Sequence, residues 1–532
     1  MITSLANALL GNRPARRIID AGFVAYARRR MAQLDRMDVA KVQEHTLLRL
    51  VRRAQDTRFG RDHDFARIRS VADYQRIVPL REYEAMWHDY WKPTFPRLQG
   101  ASWPDPVPYY ALSSGTTSGA TKYLPVTREM VRSNERGALS LIAAVLNAYP
   151  TRRLFQGRLF FLGGSTDLRS LDGAALAGDL SGIAAREAPR WLAPFRFPPP
   201  ELALMTDWDQ KVRTLAQHSA TLPITFVSGI PAWLLVLFTR LKECTGKDRL
   251  IDIWPTLQVI VHGGTKFDPY RDMFRKEVGS PDVVFQEVYP CSEGFVAFED
   301  PRHAQLLRVV PDHDIFFEFV PVDELGKDRP TRHTLATVEP QVQYAVIVTT
   351  CAGLWGYVLG DTVAFERREP PLLRFTGRTK YFLSAFGEHL ISEEVEKAVA
   401  AAAAATGASV LDFHVGPVFP DDPRQLGHHL YLVEFADAPG DLSRFAAELD
   451  RELCRLNEDY AAHRGGGIGM DPPEVRPLAR GAFSAWLRAQ GKLGGQHKVP
   501  RMDNSGTLTR QIADWMAQHG LAPLPQPSAP AH

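Results

Sequence analysis

From about residue 105 to about residue 375, short β-rich runs alternate with helical stretches, and no other feature constrains the fold as strongly. The runs are Leu154–Leu162 (LFQGRLFFL), Ile224–Val227, Leu257–Val261, Val283–Val288, Ile315–Val320 and Ala345–Thr349. Helical patterns separate several of them, over Arg128–Leu146 and Ala232–Lys242. Such an order predicts an α/β protein with a large sheet system, its β-sheets flanked by helices. Residues 1 to about 100 read as helical and polar. There, Val39–Arg53 sets Val39, Leu47, Leu50 and Val51 on one stripe. A break falls at Arg374–Lys380 (RFTGRTK), a glycine among basic residues. Past it come a helix over Ser392–Ala405, strands near Ser409–Gly416 and His429–Phe435, and a helix over Leu442–Leu456. This predicts a smaller, separate C-terminal α+β domain. The expected division is a large domain over 1–376, a small mobile domain over 377–520, and a disordered Pro-rich tail over 521–532 (LAPLPQPSAPAH).

A chain of 532 residues exceeds one ordinary core, which agrees with more than one domain. The net charge of +2 gives no footprint for nucleic acid. Cys244, Cys291, Cys351 and Cys454 form no CxxC pair, so neither a zinc site nor a disulfide framework is predicted. That usage fits a reducing cytoplasm. The apolar runs Leu139–Leu146 and Trp233–Phe238 are far too short to span a membrane. Met1–Arg30 holds six arginines and one acid, a bias that transit peptides share; an amphipathic first helix is the simpler expectation. The oligomeric state is not set by the sequence, and a monomer is compatible with it.

Within this frame Tyr109–Lys122 (YYALSSGTTSGATK) stands out, a poor helix interior and too polar for a core strand. Gly115 and Gly119 allow positive φ and close backbone approach. Ser113, Ser114, Thr116, Thr117 and Ser118 supply hydroxyls, successive N–H groups in such a turn form an anion nest, and Lys122 adds a full charge. These are the needs of a triphosphate tail. A Walker loop is excluded, because the lysine follows Gly119 by three residues instead of following a glycine directly.

SSGTTSGATK resembles the phosphate loop of the adenylate-forming superfamily. The chain as a whole resembles the auxin-responsive type of acyl-acid amido synthetase, as a bacterial-like member; plant members join auxin, jasmonate or benzoate-type acids to amino acids. Thr57–Tyr83 resembles that family's N-terminal region, and later motifs follow in order. YPCSE (Tyr289–Glu293) is similar to the second motif. The resemblance implies that Tyr289 packs on adenine, Ser292 meets the phosphates and Glu293 holds Mg²⁺, a hard cation suited to one carboxylate plus phosphate oxygens. HGGT (His262–Thr265) follows a strand, and Gly263 and Gly264 would let the flat adenine lie on the backbone. His262 reads as structural, and with no G-x-S-x-G elbow a lipase-like role is excluded. GLWGYVLGD (Gly353–Asp361) is similar to the third motif, whose Asp361 would accept two hydrogen bonds from the ribose diol. This chain departs from plant members at Gly356 and Val358, where arginine is usual, which leaves the acyl acid open. GRTKYFLSAFGE resembles the inter-domain hinge, with Arg378 on ribose or phosphate and Lys380 at the hinge. QHKVPR resembles the C-terminal motif whose lysine, here Lys498, would bridge carboxylate and α-phosphate. Taken singly, YPCSE reads better as a strand-end turn with a solvated Glu, Lys380 fairly as part of a basic linker, and Lys498 about evenly as a solvated lysine, whereas a plain linker or surface loop suits Arg378 and the Ser/Thr-rich stretch less well; their order along the chain favours the site reading.

The resemblance thus implies an adenylate-forming enzyme fold and an ATP- and Mg²⁺-dependent ligase. A small carboxylic acid is adenylated with release of pyrophosphate, and the acyl group passes to an amino acid or other amine. Positive charge from Lys122, Arg378, Lys498 and Mg²⁺ on Glu293 would bring two anions together. The acyl pocket is expected from parts of Phe226–Trp233 and the helix at Ala138–Leu146; the same residues read equally as core. An acyl-CoA ligase and a non-catalytic nucleotide-binding protein remain as alternatives.

Overall fold

The computed structural model describes residues 12–522, apart from 115–120, 164–167, 206–207, 265–266, 268–269, 380–381, 384, 387, 389, 420–425, 458–459, 462–463, 465–469 and 492–498. The Pro-rich tail expected to be disordered lies outside them from residue 523 on. The described residues group into two compact units, one ending at Phe375 and one beginning at Thr376.

The first unit opens with α1 (Arg13–Asp35) and α2 (Val39–Ala54). Asp38 caps α2 by accepting from the Lys41 amide, and the expected stripe is buried at Leu47, Leu50 and Val51, with Val39 packed beside it. Next come β1 (Tyr109–Ser114), β2 (Thr121–Val126) and α3 (Arg128–Ala148). Thr127 caps α3, and Gly137 lets it pack closely on a strand: a Cβ there would lie 2.4 Å from the Phe295 ring. Then follow β3 (Arg158–Phe161), β4 (Arg169–Leu171), β5 (Ala175–Gly178), α4 (Leu180–Glu187), β6 (Arg196–Phe197), α5 (Trp208–Ser219), β7 (Ile224–Gly229), α6 (Pro231–Thr245), β8 (Val259–Gly263) and α7 (Arg271–Val278). The unit closes with β9 (Val284–Cys291), β10 (Gly294–Glu299), β11 (Leu307–Val309), β12 (Ile315–Pro321), β13 (His333–Thr334), β14 (Gln343–Thr350), β15 (Tyr357–Arg367) and β16 (Leu372–Arg378), the last crossing into the second unit.

Among the described residues, twelve strands form one sheet in the order β13-β12-β14-β15-β16-β11-β10-β9-β8-β7-β3-β6, and four more form a second in the order β2-β1-β5-β4. From β9 through β8, β7 and β3 to β6 the pairing is parallel; β9 with β10, and β10 with β11, are antiparallel. Parallel strands are covered on both faces and so read as continuous apolar runs, which is why β7 and β8 were visible in the sequence. Two apolar clusters fill the unit where the chemistry is concerned. One joins α2, β1, β2 and β9–β15; the other joins β3, β7 and β8 to α5, α6 and α7.

Two local expectations change. Leu154–Leu162 is not one strand: Leu154–Gln156 forms a 3-10 turn and β3 begins at Arg158. The break falls at Gly157, where a Cβ would lie 2.0 Å from the Pro223 carbonyl oxygen. Both arms of the Ser/Thr-rich stretch are strands, with Ser113 opposite Lys122 and Ser114 opposite Thr121. Polar residues are tolerated there because β2 is the edge of its sheet and β5 pairs with β1 only over Tyr109–Ala111, short of Ser113 and Ser114.

The second unit comprises β17 (Phe382–Leu383), β18 (Leu390–Ile391), α8 (Ser392–Thr406), β19 (Ser409–Val418), β20 (His428–Asp437), α9 (Leu442–Leu456), β21 (Glu474–Leu478), α10 (Ala482–Ala489) and α11 (Thr507–Gln518). Strands β19, β20 and β21 form a sheet packed on α8 and α9. The architecture is therefore α/β, with a large sheet system and a smaller α+β unit. Among the described residues no helix is long and apolar enough to cross a membrane.

Candidate functional site

Strands β9 and β10 pair Cys291 with Gly294, so Ser292 and Glu293 are the two central residues of a tight hairpin. Tyr289, three residues before the turn ends its strand, is buried with its ring edge-to-face on Phe375, centroids 5.5 Å apart. Its hydroxyl donates to Oδ2 of Asp361 on β15 at 2.7 Å, joining two sequence motifs 72 residues apart. A second bond runs the other way. The Tyr357 hydroxyl, also on β15, donates to Oε1 of Glu293 at 3.3 Å. Tyr357 is 1% exposed; burial and then Glu293 push its phenol well above its ordinary range, so it is a neutral donor. The two carboxylates flank Cys291, whose thiol is pushed up by burial first, then by Glu293 and Asp361.

Beside this strand, Gly263 of β8 faces Val288 in parallel register. A Cβ at 263 would lie 2.3 Å from the Val288 carbonyl oxygen, and Gly264 adopts φ +79°, so both glycines are required by the backbone. His262 is structural in its setting. It is buried, stacked on Phe267 with centroids 3.6 Å apart, and burial followed by the Arg271 charge lowers its pKa to about 3.

Lys122 projects from β2 with its ammonium 5.2 Å from the centroid of the Tyr83 ring, a cation–π geometry. The Tyr83 hydroxyl accepts from the Tyr123 amide at 2.9 Å. Tyr83 also lies close enough to Tyr357 to raise its pKa, so the loop lysine and the Glu293 turn share one aromatic neighbourhood. Of the loop itself, Ser113 and Ser114 end β1, while Gly115, Thr116, Thr117 and Gly119 lie outside the described residues. Ser292 is buried in the hairpin. Arg378 is exposed at the end of β16 and falls in the second unit; Lys380 and Lys498 lie outside the described residues.

The structure thus gathers Gly263, Gly264, Tyr289, Ser292, Glu293 and Asp361 at β8, β15 and the β9–β10 hairpin of the first unit, with Lys122 of the second sheet linked to them through Tyr83. Sequence reasoning missed Tyr83 and Tyr357. Both lie in motif stretches already singled out, and a tyrosine inside a chemistry-bearing motif was the available signal. On the apolar face of α3, Leu141, Ala143, Ala144, Val145 and Leu146 are buried and packed with α1, Phe226 and β10. At the departure from plant sequences, Gly356 adopts φ +52°, and a Cβ would lie 2.7 Å from the Pro79 carbonyl oxygen. The flanking backbone pairs with Arg81 on both sides, Arg81 N to Gly356 O and Val358 N to Arg81 O, each at 2.9 Å.

Among the described residues no three His, Cys, Asp or Glu side chains cluster as a metal cage. Glu293, half-buried at a hairpin turn, therefore offers one hard carboxylate and not a closed shell. This donor set fits Mg²⁺, which keeps waters and takes substrate phosphates for most of its shell.

This strand order, with two carboxylates held beside a glycine turn, has the fold of the solved acyl acid amido synthetase and acyl-CoA ligase described below. The GH3 family N-terminal domain matches residues 29–213, its central domain residues 308–378 and its C-terminal domain residues 393–507. Together these span well over half of the chain, which belongs to the GH3 family. A probable indole-3-acetic acid-amido synthetase, GH3.12 of Oryza sativa subsp. japonica, is 24% identical over 88% of this chain and 93% of its own. The solved GH3.15 acyl acid amido synthetase superposes with a TM-score of 0.75 at 16% identity, covering 93% of this chain and 95% of that one. The fold also extends to 2-hydroxyisobutyryl-CoA ligase in its postadenylation state, with a TM-score of 0.61 at 13% identity over 92% of this chain and 94% of that one.

Proposed function

We propose that the protein is an ATP-dependent acyl-acid amido synthetase: it adenylates a small carboxylic acid, releases pyrophosphate, and transfers the acyl group to an amine, in the first instance an amino acid. The observation that supports this most is the Tyr289–Asp361 bond, which brings the ribose-type carboxylate against the aromatic of the second motif. Membership of a family whose matched relative is named as an amido synthetase supports the choice of amine over thiol as acceptor.

In this proposal the carboxylate of the acid attacks the α-phosphorus of ATP. Pyrophosphate leaves, and the oxide, a poor leaving group, becomes AMP, a good one. Two anions must meet, so the residues act mainly by charge and position. Lys122 and the loop amides would face the phosphates, Ser292 would donate to them, and Asp361 would accept from the ribose hydroxyls. Gly263 and Gly264 would leave room for adenine beside Tyr289. Glu293 would hold Mg²⁺, which supplies charge neutralisation on the phosphate oxygens. Arg378 and Lys498 complete the proposed set, with Lys498 bridging carboxylate and α-phosphate in the first half-reaction. Movement of the small domain over 377–520 would then withdraw it. A cytoplasmic setting belongs to the same proposal, supported by four free cysteines.

The test is acid-dependent pyrophosphate release with ATP and Mg²⁺ across aromatic and aliphatic carboxylates, each with mixed amino acids or with CoA, products being read by mass. An acyl-amino acid establishes the activity and names both substrates. A thioester product would replace the amine by CoA, and absence of release with every acid would overturn the ligase assignment.

A further inference from the structure

The end of β5 brings a further carboxylate, Asp179, to the edge that carries Gly263 and Tyr289. Strands β3, β7, β8 and β9 are parallel, with Phe161 opposite Ser228, Gly229 opposite His262 and Gly263 opposite Val288, so they end on one edge, where α/β sheets bind ligands. In the second sheet β5 runs parallel to β1 and sets Gly178 opposite Ala111. Asp179 follows, still extended at φ −62° and ψ 145°, level with Leu112 and just short of Ser113 and Ser114. Two residues on, Ser181 lies against Gly163 at the end of β3: a Cβ on that glycine would stand 3.0 Å from the Ser181 Oγ. The contact continues to β7. The Leu162 amide donates to the Ser228 carbonyl at 2.8 Å, and a Cβ on Gly229 would meet the Leu162 Cβ at 3.2 Å. Asp179 therefore stands between the end of β1, which leads into the proposed phosphate loop, and the β7–α6 segment expected to hold the acid.

The carboxylate is half-buried, yet it makes no hydrogen bond or ion pair with any described residue, and it does not cap α4, the helix it precedes. The charge that acts on it is that of Lys211, in the first turn of α5. Lys211 is 2% exposed, and its ammonium is held on the Ala203 carbonyl at 2.8 Å. Burial raises the Asp179 pKa to about 6 and Lys211 opposes the rise, so at pH 7 the group is mainly ionised. A carboxylate can only accept, and one withdrawn from water needs a donor. Its neighbours Gly163, Gly178 and Ser181 are small and leave room for one. Among the described residues no metal-binding cluster includes it, so the donor it fits is an organic cation. Resting on the ligase reading above, we infer that Asp179 is a specificity-determining residue that receives the ammonium group of a substrate at the junction of the β1 and β7 ends. Two substrates could carry that group: the amino acid acceptor, or an acid with an amino substituent.

Asp179→Asn keeps the shape and removes the charge. Isosteric pairs of acids give the first readout: 4-(aminomethyl)benzoate with 4-ethylbenzoate, and 6-aminohexanoate with heptanoate, compared by kcat/KM for pyrophosphate release. The KM of the amino acid that the product masses identify gives the second. Loss of one hydrogen bond to a charged group should change one of the two by roughly tenfold to 10²-fold. A fall in the preference for the aminated acids places the ammonium on the acid. A rise in the amino acid KM at constant preference places it on the acceptor. No change in either, or equal losses in both, would overturn the inference. So would a lower urea midpoint in D179N, because a half-buried charge without a protein partner stabilises nothing when it is kept. If the wild type releases pyrophosphate with no acid, the ligase reading fails and binding judges Asp179 by itself. In that case 4-(aminomethyl)benzoate or mixed amino acids should raise the Tm of the wild type and not that of D179N; equal shifts in both proteins, or none in either, would overturn the site.

Discussion

The ammonium of Lys122 stands over the ring of Tyr83, 5.2 Å from its centroid, while the Tyr83 hydroxyl takes the amide of the next residue, Tyr123, at 2.9 Å. One aromatic side chain thus holds both the charge and the backbone at the mouth of the Ser/Thr-rich hairpin. Lys122→Ala should lower pyrophosphate exchange by roughly 10²-fold, the scale for one electrostatic contact to a transferring group, with little change in stability. Tyr83→Phe should cost about 1 kcal/mol by losing one hydrogen bond. Tyr83→Ala empties a buried site and should cost about 3–5 kcal/mol in urea unfolding. Full exchange activity in the lysine variant would remove that residue from the phosphate site.

A second test concerns Lys498. Its replacement by Ala should abolish adenylate formation and leave ATP binding mostly intact, since a bridging cation acts on the charge that develops during reaction. Equilibrium ATP titration beside acid-dependent exchange separates the two. Surviving turnover would rule out the assigned role.

Gly356 explains in physical terms why an arginine has no place there in this chain. With φ +52° and the Pro79 carbonyl 2.7 Å from any Cβ, Gly356→Arg should destabilise the fold by about 1–3 kcal/mol. An unchanged midpoint in urea would show that the Arg81 to Val358 pairing relaxes freely.

His262 gives a pH prediction. Its folded pKa is lowered to about 3 from 6.5, by burial and then Arg271. Between those values the unfolded chain binds a proton that the folded chain refuses. Stability is therefore complete above pH 6.5 and is lost as pH falls toward about 3. His262→Gln, though less stable at neutral pH, should show a flatter fall in Tm over that window. His313, lowered to about 4 by burial, contributes with the same sign and would leave part of the slope. An identical acid limb in the variant would show that His262 does not carry it.

Elements with strong local pattern were readable from the residues alone. Ser392–Thr406 and Leu442–Leu456 are helices within a residue of the expected ends, because periodicity and the capping Asp441 are local signals. The run Leu154–Leu162 misled because its apolar content hides the approach of Gly157 to Pro223, a contact between distant segments. The site divides in the same way. Gly263, Gly264, Tyr289, Glu293 and Asp361 could be named from their motifs. That Tyr289 would meet Asp361, and Tyr357 Glu293, could not, for such a pairing leaves no periodic trace.

Tyr289 and Tyr357 belong to one apolar cluster, and the β7–α6 segment to the other, where Val227, Leu234 and Leu237 pack with Trp254. Were the proposed acid pocket to lie along β7 and α6, this division would let the two halves of the proposed chemistry diversify at different rates. A protein engineer would inherit the same freedom: libraries confined to that segment would search for new acids while the packing of the first cluster stayed constant.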